Sequence, residues 1–358
     1  MKSFSDIFID CTSAGTKIPK ESYLDKGTHI IIDQGQNEIA GYTNEETGLY
    51  TDVPAIIFGD HTRAIKYVEE PFFLGADGVK LLKCKDKDAN YKYLYYALKS
   101  AKIPDTGYNR HFKWLKEIEI SYPDQSVQSK VVKTLDSLST VIDQRKDELI
   151  KLDDLIKARF VELFEDGESP LKTVEELCSA IVDCPHTTPR YEGELKNPAI
   201  RTSEIKKGYI TWDSMRYVSD EEYEERIARL QPEAGDIVYG REGTFGNAAI
   251  LPEGYRFCLG QRVMLLRPDY TKCNSEYLLH AVISDDVYRQ AVGKNNASTV
   301  AHVNVKDVKQ FKIPLPSFEK QNRFADFVKQ VDKSKVVIHK SLNAAQLLFD
   351  RLMQEYFE

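Results

Sequence analysis

The 358-residue chain sets 49 Lys and Arg against 56 Asp and Glu, a formal net charge of −7 at pH 7, in a background of 42% hydrophobic residues. Such a composition is ordinary globular material with room for two domains, and its acidity excludes a generic polybasic nucleic-acid binder while permitting a locally basic face. No stretch approaches the roughly 18 uncharged apolar residues of a membrane span and the first residues follow no leader pattern, so a cytoplasmic protein without membrane contact is expected.

In chain order, the first elements are short apolar runs bounded by turn residues: "THIIID" (28–33), "PAIIFGD" (54–60) and "GVKLLK" (78–83), which predict strands. The run "IIFGDHTR" (56–63) passes from strand through a glycine into a polar turn carrying His61, Thr62 and Arg63. A basic stretch follows at "TGYNRHFKW" (106–114), where Tyr108, Asn109, Arg110, His111 and Lys113 crowd together. Aromatic, amide and cationic groups in that mixture suit a nucleic-acid backbone; a solvated loop is the plainer alternative.

The next segment, "KEIEISYPDQSVQ" (116–128), is stated again at 309–321 as "KQFKIPLPSFEKQ". Lys116, Ile120, Pro123 and Gln128 match Lys309, Ile313, Pro316 and Gln321, always 193 residues apart, and the offset holds to Phe164 and Phe357. Upstream, "NYKYLYYAL" (90–98) matches "NSEYLLHAV" (274–282) at an offset of 184. The chain therefore contains two copies of a module followed by a helix.

After each proline the period becomes helical. Leu135, Leu138, Ile142, Arg145, Leu149, Leu152, Ile156, Arg159 and Leu163 alternate steps of three and four, the seam of a coiled coil. A partner seam runs through Val328, Val331, Lys335, Ile338, Leu342, Ala345, Phe349, Leu352 and Tyr356. Mutual pairing is expected over separate amphipathic helices, because both seams outrun ordinary helix length and neither contains Gly or Pro. Helices of roughly 36–40 residues span about 55–60 Å. Arg145, Arg159 and Lys335 cost apolar packing and are candidates for fixing register or for meeting a further partner.

The second module repeats the strand texture in "GDIVYGREGTFGNAAIL" (235–251) and "RVMLLRPD" (262–269). Its "IVYGREGT" (237–244) falls opposite "IIFGDHTR", placing Arg241 and Thr244 on the matching turn, and Lys294, Asn295 and Asn296 lie in the loop that answers the first basic stretch. Side chains of these kinds read base edges or grip phosphates; an ordinary hairpin turn is the alternative at any single loop.

Two modules, each leading through I-x-x-P-x-x-x-x-Q into a long helix, together with "GDHTR", "GYNRHFKWLKEIEISYP", "PAIRTSEIKKGYI" (198–210), "GDIVYGREGTFGNAAIL" and "IPLPSFEKQ", resemble the specificity subunit of a type I restriction–modification system over essentially the whole chain. The resemblance implies an α+β protein with a pseudo-two-fold repeat: target recognition domains at 1–125 and 167–316, separated by two long antiparallel coiled-coil helices at 126–166 and 317–358. It implies as partners a double-stranded DNA with a bipartite target, DNA methyltransferase (modification) subunits docked on the helices, and a restriction/translocase subunit joined through the complex. Within "PAIRTSEIKKGYI" it adds Arg201, Thr202, Ser203, Lys206 and Lys207 to the candidate DNA contacts.

Catalytic signatures are missing from the sequence. It has no NPP[YF] or DPP[YF] string, no strand-linked GxGxxG and no GxxxxGK[ST], and Gly240, Gly243 and Gly246 have the wrong spacing for a dinucleotide turn. Asp269, Asp307 and Lys309 suggest a nuclease only until the repeat assigns Asp307 and Lys309 to the junction. The six cysteines contain no CxxC pair and are expected as free thiols, and Cys178, Cys184 and His186 lack a fourth zinc ligand. No cofactor is expected, and the chain is expected to be non-catalytic. The main alternative function is an adaptor whose two modules bind protein or glycan; a self-contained methyltransferase lacks its motifs.

Overall fold

The strand signals are realised as His29–Ile32, Ala55–Gly59 and Val79–Cys84 in a computed structural model that describes residues 1–75, 78–107, 109–164, 167–192, 196–242, 246–293 and 302–357. The chain forms two compact units, Met1–Lys146 with His339–Glu358, and Asp147–Ile338. Both divisions fall inside long helices, so each unit holds one module and half of each helix.

In the first unit a four-stranded antiparallel sheet runs in the order Phe8–Asp10, Val79–Cys84, Ala55–Gly59, Ile65–Val68. Ile56, Ile57 and Phe58 are wholly buried, because this central strand is covered on both faces. A second sheet orders Gly41–Thr43, His29–Ile32 and Phe72–Leu74, the last two parallel. Lys2–Ser3 pairs with Glu119–Ile120, bringing the start of the module to its end.

The second unit repeats this plan. Its first sheet runs Cys178–Asp183, Val263–Pro268, Ile237–Gly240, Ala248–Ile250; its other sheet again contains a parallel pair, Asn197–Ile200 with Cys258–Leu259. Leu171–Thr173 pairs with Lys312–Pro314 as Lys2–Ser3 does with Glu119–Ile120. Even the caps recur. Capping boxes at Ser3/Asp6 and Thr173/Glu176 start equivalent short helices, and Asn90 and Asn274 cap Tyr91–Ser100 and Ser275–Val282.

The long helices are Gln125–Phe164 and Phe318–Phe357, 40 residues each. Every seam position named above is buried or half-buried. In the first unit Val131 and Leu135, near the start of one helix, share a core with Phe349, Leu352 and Tyr356, near the end of the other. In the second unit Phe160 and Phe164 meet Phe324, with ring centroids 5.6 and 5.4 Å apart. Ends meeting starts in both units make the pair antiparallel. Lys335 reaches Asp153 on the opposite helix at 2.5 Å, a cross-helix tie that suits its expected part in register.

The repeated junction has a physical cause. Gln128 and Gln321 are wholly buried, and the Nε2 of each donates to the carbonyl of the proline five residues earlier, Pro123 at 2.8 Å and Pro316 at 3.0 Å. Each glutamine thereby ties the first turn of its helix to the incoming strand. Gln321 also donates to Lys272 O at 3.1 Å and accepts from Asn274 N at 3.1 Å, locking the cap of Ser275–Val282.

Two stability outcomes follow from these contacts. Gln321→Ala strands buried backbone groups and is expected to cost about 1–3 kcal/mol in urea unfolding, and Gln128→Ala less because it leaves one; equal and negligible losses would remove the clamp from this account. Burial, then Asp332, raise Glu276 from 4.5 to about 7 against the pull of Lys335. A carboxyl raised on folding lends stability that is complete below pH 4.5 and lost as pH climbs through about 7. Glu276→Gln should therefore match the parent below pH 4.5 and exceed it above about pH 7, as read from unfolding midpoints.

Candidate nucleic-acid interface

In the first unit the central strand ends at Gly59 and the chain turns back, with Arg63 N donating to Gly59 O at 2.8 Å and Arg63 held at φ +61°. Asp60, 4% exposed, pins the turn from within: its Oδ1 accepts from Phe112 N at 2.8 Å and its carbonyl from His111 N at 2.8 Å. His111 is itself buried, its Nδ1 3.0 Å from Asp60 O and its Nε2 3.3 Å from Thr106 Oγ1. A carbonyl can only accept, so Nδ1 carries a proton. His111 is thus a structural pin, spent on the protein.

The other turn residues are also engaged. His61 places Nδ1 3.1 Å from Asn109 O and donates its amide to Gln34 Oε1 at 3.2 Å, while Thr62 Oγ1 donates to Gln34 O. The Arg63 guanidinium donates to Asp105 Oδ2 at 2.7 Å and to Ile103 O at 3.3 Å. The Gly107 amide and then Arg63 hold the Asp105 carboxyl below its ordinary range. Three segments, 33–37, 60–63 and 103–113, therefore converge, leaving Asn109, Arg110 and Lys113 exposed on their outer side. The Lys113 ammonium lies 4.7 Å over the Trp114 ring. Tyr108 lies outside the described residues.

In the second unit the corresponding strands, paired at Tyr239 and Ala248 where the first unit pairs Phe58 and Ile65, open the turn with different chemistry. Arg241 N donates to Arg262 O at 3.0 Å where Asp60 N donates to Gly78 O at 2.7 Å, and Arg241 O accepts from Val303 N at 3.0 Å. Arg241 thus takes the place of Asp60; Thr244, which the sequence alignment sets opposite Arg63, lies outside the described residues. Arg241 is 7% exposed and its Nη2 lies 2.9 Å from Asp183 Oδ1. Arg262, at φ +64° in the position of Gly78 at φ +89°, pairs with Glu242 at 2.8 Å and accepts at its carbonyl from Thr202 Oγ1 at 3.1 Å.

Arg201 is bidentate on Glu204, at 3.1 and 2.5 Å, and also donates to Ser214 O at 2.8 Å. Burial pushes Glu204 upward, but hydrogen bonds from Arg201, Ser203 and Ser214 outweigh it and hold the carboxyl below its ordinary range. Lys206 donates to Ser203 O at 3.0 Å, and Lys207, exposed, lies 3.6 Å from Asp285. Thr202 and Arg241 are brought together through Arg262; Arg201, Ser203 and Lys206 gather around Glu204. Lys294, Asn295 and Asn296 lie outside the described residues.

Sequence reasoning missed the segment 33–37, whose signal was present: "DQGQN" directly follows the apolar run of His29–Ile32 as Arg201–Ser203 follows Asn197–Ile200. Among the described residues no group of three or more His, Cys, Asp or Glu is placed to hold a metal, and no helix is long and apolar enough to cross a membrane.

The type I restriction modification DNA specificity domain matches residues 1–153 and 191–345. The EcoR124I/EcoR124II type I specificity subunit of Escherichia coli is 25% identical over 341 residues, covering 88% of this chain and 82% of that one. A type I specificity subunit assigned in Haemophilus influenzae, S.HindORF215P, is 22% identical over 79% of this chain and 74% of its own. In fold, the S subunit of the M. genitalium type I system superposes with a TM-score of 0.60 at 17% identity, over 100% of this chain and 95% of that one. A chain of a type I assembly studied for its complex assembly and conformational transition gives 0.55 at 15% identity, with the same coverage. With the specificity domain matched once in each copy of the repeat, the chain belongs to the type I restriction–modification specificity-subunit family.

Proposed function

We propose that this chain reads a split double-stranded DNA target for a type I restriction–modification complex, each repeat taking one half-site. The observation that carries this reading is the duplicated turn: in both units the central strand ends in a glycine whose following residue is buried and held by the same pair of backbone hydrogen bonds. One repeat per half-site matches a protein pseudo-two-fold to a split target. The recognition domains are residues 1–125 and 167–316, and the helices, 126–166 and 317–358, dock DNA methyltransferase subunits, with the restriction/translocase subunit joining through the complex. The chain itself is non-catalytic and takes no cofactor; the methyl transfer and cleavage belong to the partners.

Within the turns the candidate residues divide by their engagement. Exposed Asn109, Arg110 and Lys113 in the first unit and Lys207 in the second meet DNA directly, the cations on phosphates, with Ser203 and Lys206 near Lys207 in the second unit. His61, Thr62, Arg63, His111, Arg201, Thr202 and Arg241 hold the presenting loops in shape. Tyr108, Thr244, Lys294, Asn295 and Asn296 are proposed as further contacts on sequence grounds alone.

The net charge of −7 favours the rival reading, an adaptor for protein or glycan. Methylome sequencing of cells with and without the chain separates the two: a split methylated motif is expected only when it is present, and an identical methylome in both would sink DNA reading. Within the assembled complex, Arg110→Ala or Lys113→Ala should lower the log–log salt slope of DNA binding by about one unit each while leaving the motif intact. His111→Ala should leave that slope alone and instead destabilise the first unit by about 1–3 kcal/mol through orphaned Asp60 and Thr106.

A further inference from the structure

Building on that reading, we infer that Gln36 and Asn37 are base-reading residues of the first recognition domain, and that the loop 33–37 is a specificity determinant for adenine in its half-site. The loop occupies the place that Arg201–Ser203 occupies in the second unit. His29–Ile32 and Asn197–Ile200 each pair in parallel with a third strand. The carbonyls of Ile32 and Ile200 then accept from equivalent glycines, Gly75 at 2.8 Å and Gly260 at 2.6 Å. The chain leaves both strands at the same point of the fold, beside the turn that follows the central strand.

The loop is held from beneath and left open above. Asp33 Oδ1 accepts from Gly35 N at 2.7 Å and lies 3.5 Å from the buried ammonium of Lys66, which also donates to Asn37 O at 2.5 Å. Gln34 is gripped by His61 and Thr62. Glycines clear its seat: a Cβ on Gly75 would lie 2.4 Å from Asp33 Cβ, and one on Gly59 2.8 Å from Gln34 O. Against this rigid base the side chains of Gln36 and Asn37 are exposed, Gln36 making only a 3.5 Å approach to Thr62 O.

The chemistry selects the ligand. An amide presents one donor and one acceptor side by side, the pattern that matches adenine N6 and N7 in the major groove. Neither residue is charged, so neither adds to phosphate neutralisation. Exposed Glu38 follows and would repel a phosphate, which suits a loop entering a groove better than one lying along the backbone.

The test uses the complex reconstituted with its methyltransferase subunits, binding a duplex panel in which each base pair of the methylome-defined motif is replaced in turn. Gln36→Ala and Asn37→Ala are each expected to erase a penalty of about tenfold or more at one A·T pair, or two adjacent ones, of a single half-site. All other penalties should stay within about twofold. Penalties unchanged everywhere, penalties reduced equally in both half-sites, or loss of all binding would each overturn the assignment, the last by placing the loop in folding or assembly. If the unaltered complex has no split motif, DNA reading itself fails; if it has one and the variants keep every penalty, only this loop does.

Discussion

A helix of forty residues carries more apolar seam than one small module can cover, and this excess is the constraint from which the rest of the fold follows. Along Gln125–Phe164, Val131 and Leu135 belong to one core while Ile156, Phe160 and Phe164 belong to another. The second helix shows the same division in reverse, with Phe324, Val328 and Val331 in one unit and Phe349, Leu352 and Tyr356 in the other. The first unit is not complete until the chain returns to it, because it joins Met1–Lys146 to His339–Glu358. A truncation after the first helix would therefore strip the first module of the aromatic contacts that Phe349 and Phe357 make with Tyr96 and Tyr93.

The position after the central strand separates what the repeat keeps from what it varies. Asp60 and Arg241 share backbone bonds and burial, yet one is an acid holding Phe112 N and the other a cation answered by Asp183. A buried charge must be paired whatever its sign, so a change of charge here requires a change of partner on a neighbouring strand or loop. Gly78 and Arg262, both at positive φ, show the same tolerance: the backbone conformation stays and the side chain changes from nothing to an exposed guanidinium. A scaffold that fixes its backbone and frees its side chains is suited to presenting different edges to different half-sites.

Much of this was legible from residues alone. The seam positions, the strand runs and the twofold repeat rest on local periodicity and on identity at fixed offsets, which a sequence displays directly. What it concealed was pairing across distance. Arg63 looks free until Asp105, 42 residues on, is seen at 2.7 Å, and His111 looks like one more basic loop residue until Asp60 and Thr106 are seen to bury it. The loop 33–37 was passed over for the opposite reason. Uncharged amides beside a strand resemble any turn, and only the equivalence of His29–Ile32 with Asn197–Ile200 gives them a place.

Intramolecular pairing also bears on how an acidic chain would hold a polyanion. Arg63, Arg201, Arg241 and Arg262 are each matched to a carboxylate, so their charge is largely cancelled before any DNA arrives. Each cation that does contact a phosphate adds about 0.9 to the salt slope. With so many cations committed inward, the proposed DNA reading would draw little sequence-independent binding from these loops. On the proposed function, discrimination would rest on groups that carry no charge, and the bulk of phosphate neutralisation on the subunits that the helices are proposed to dock.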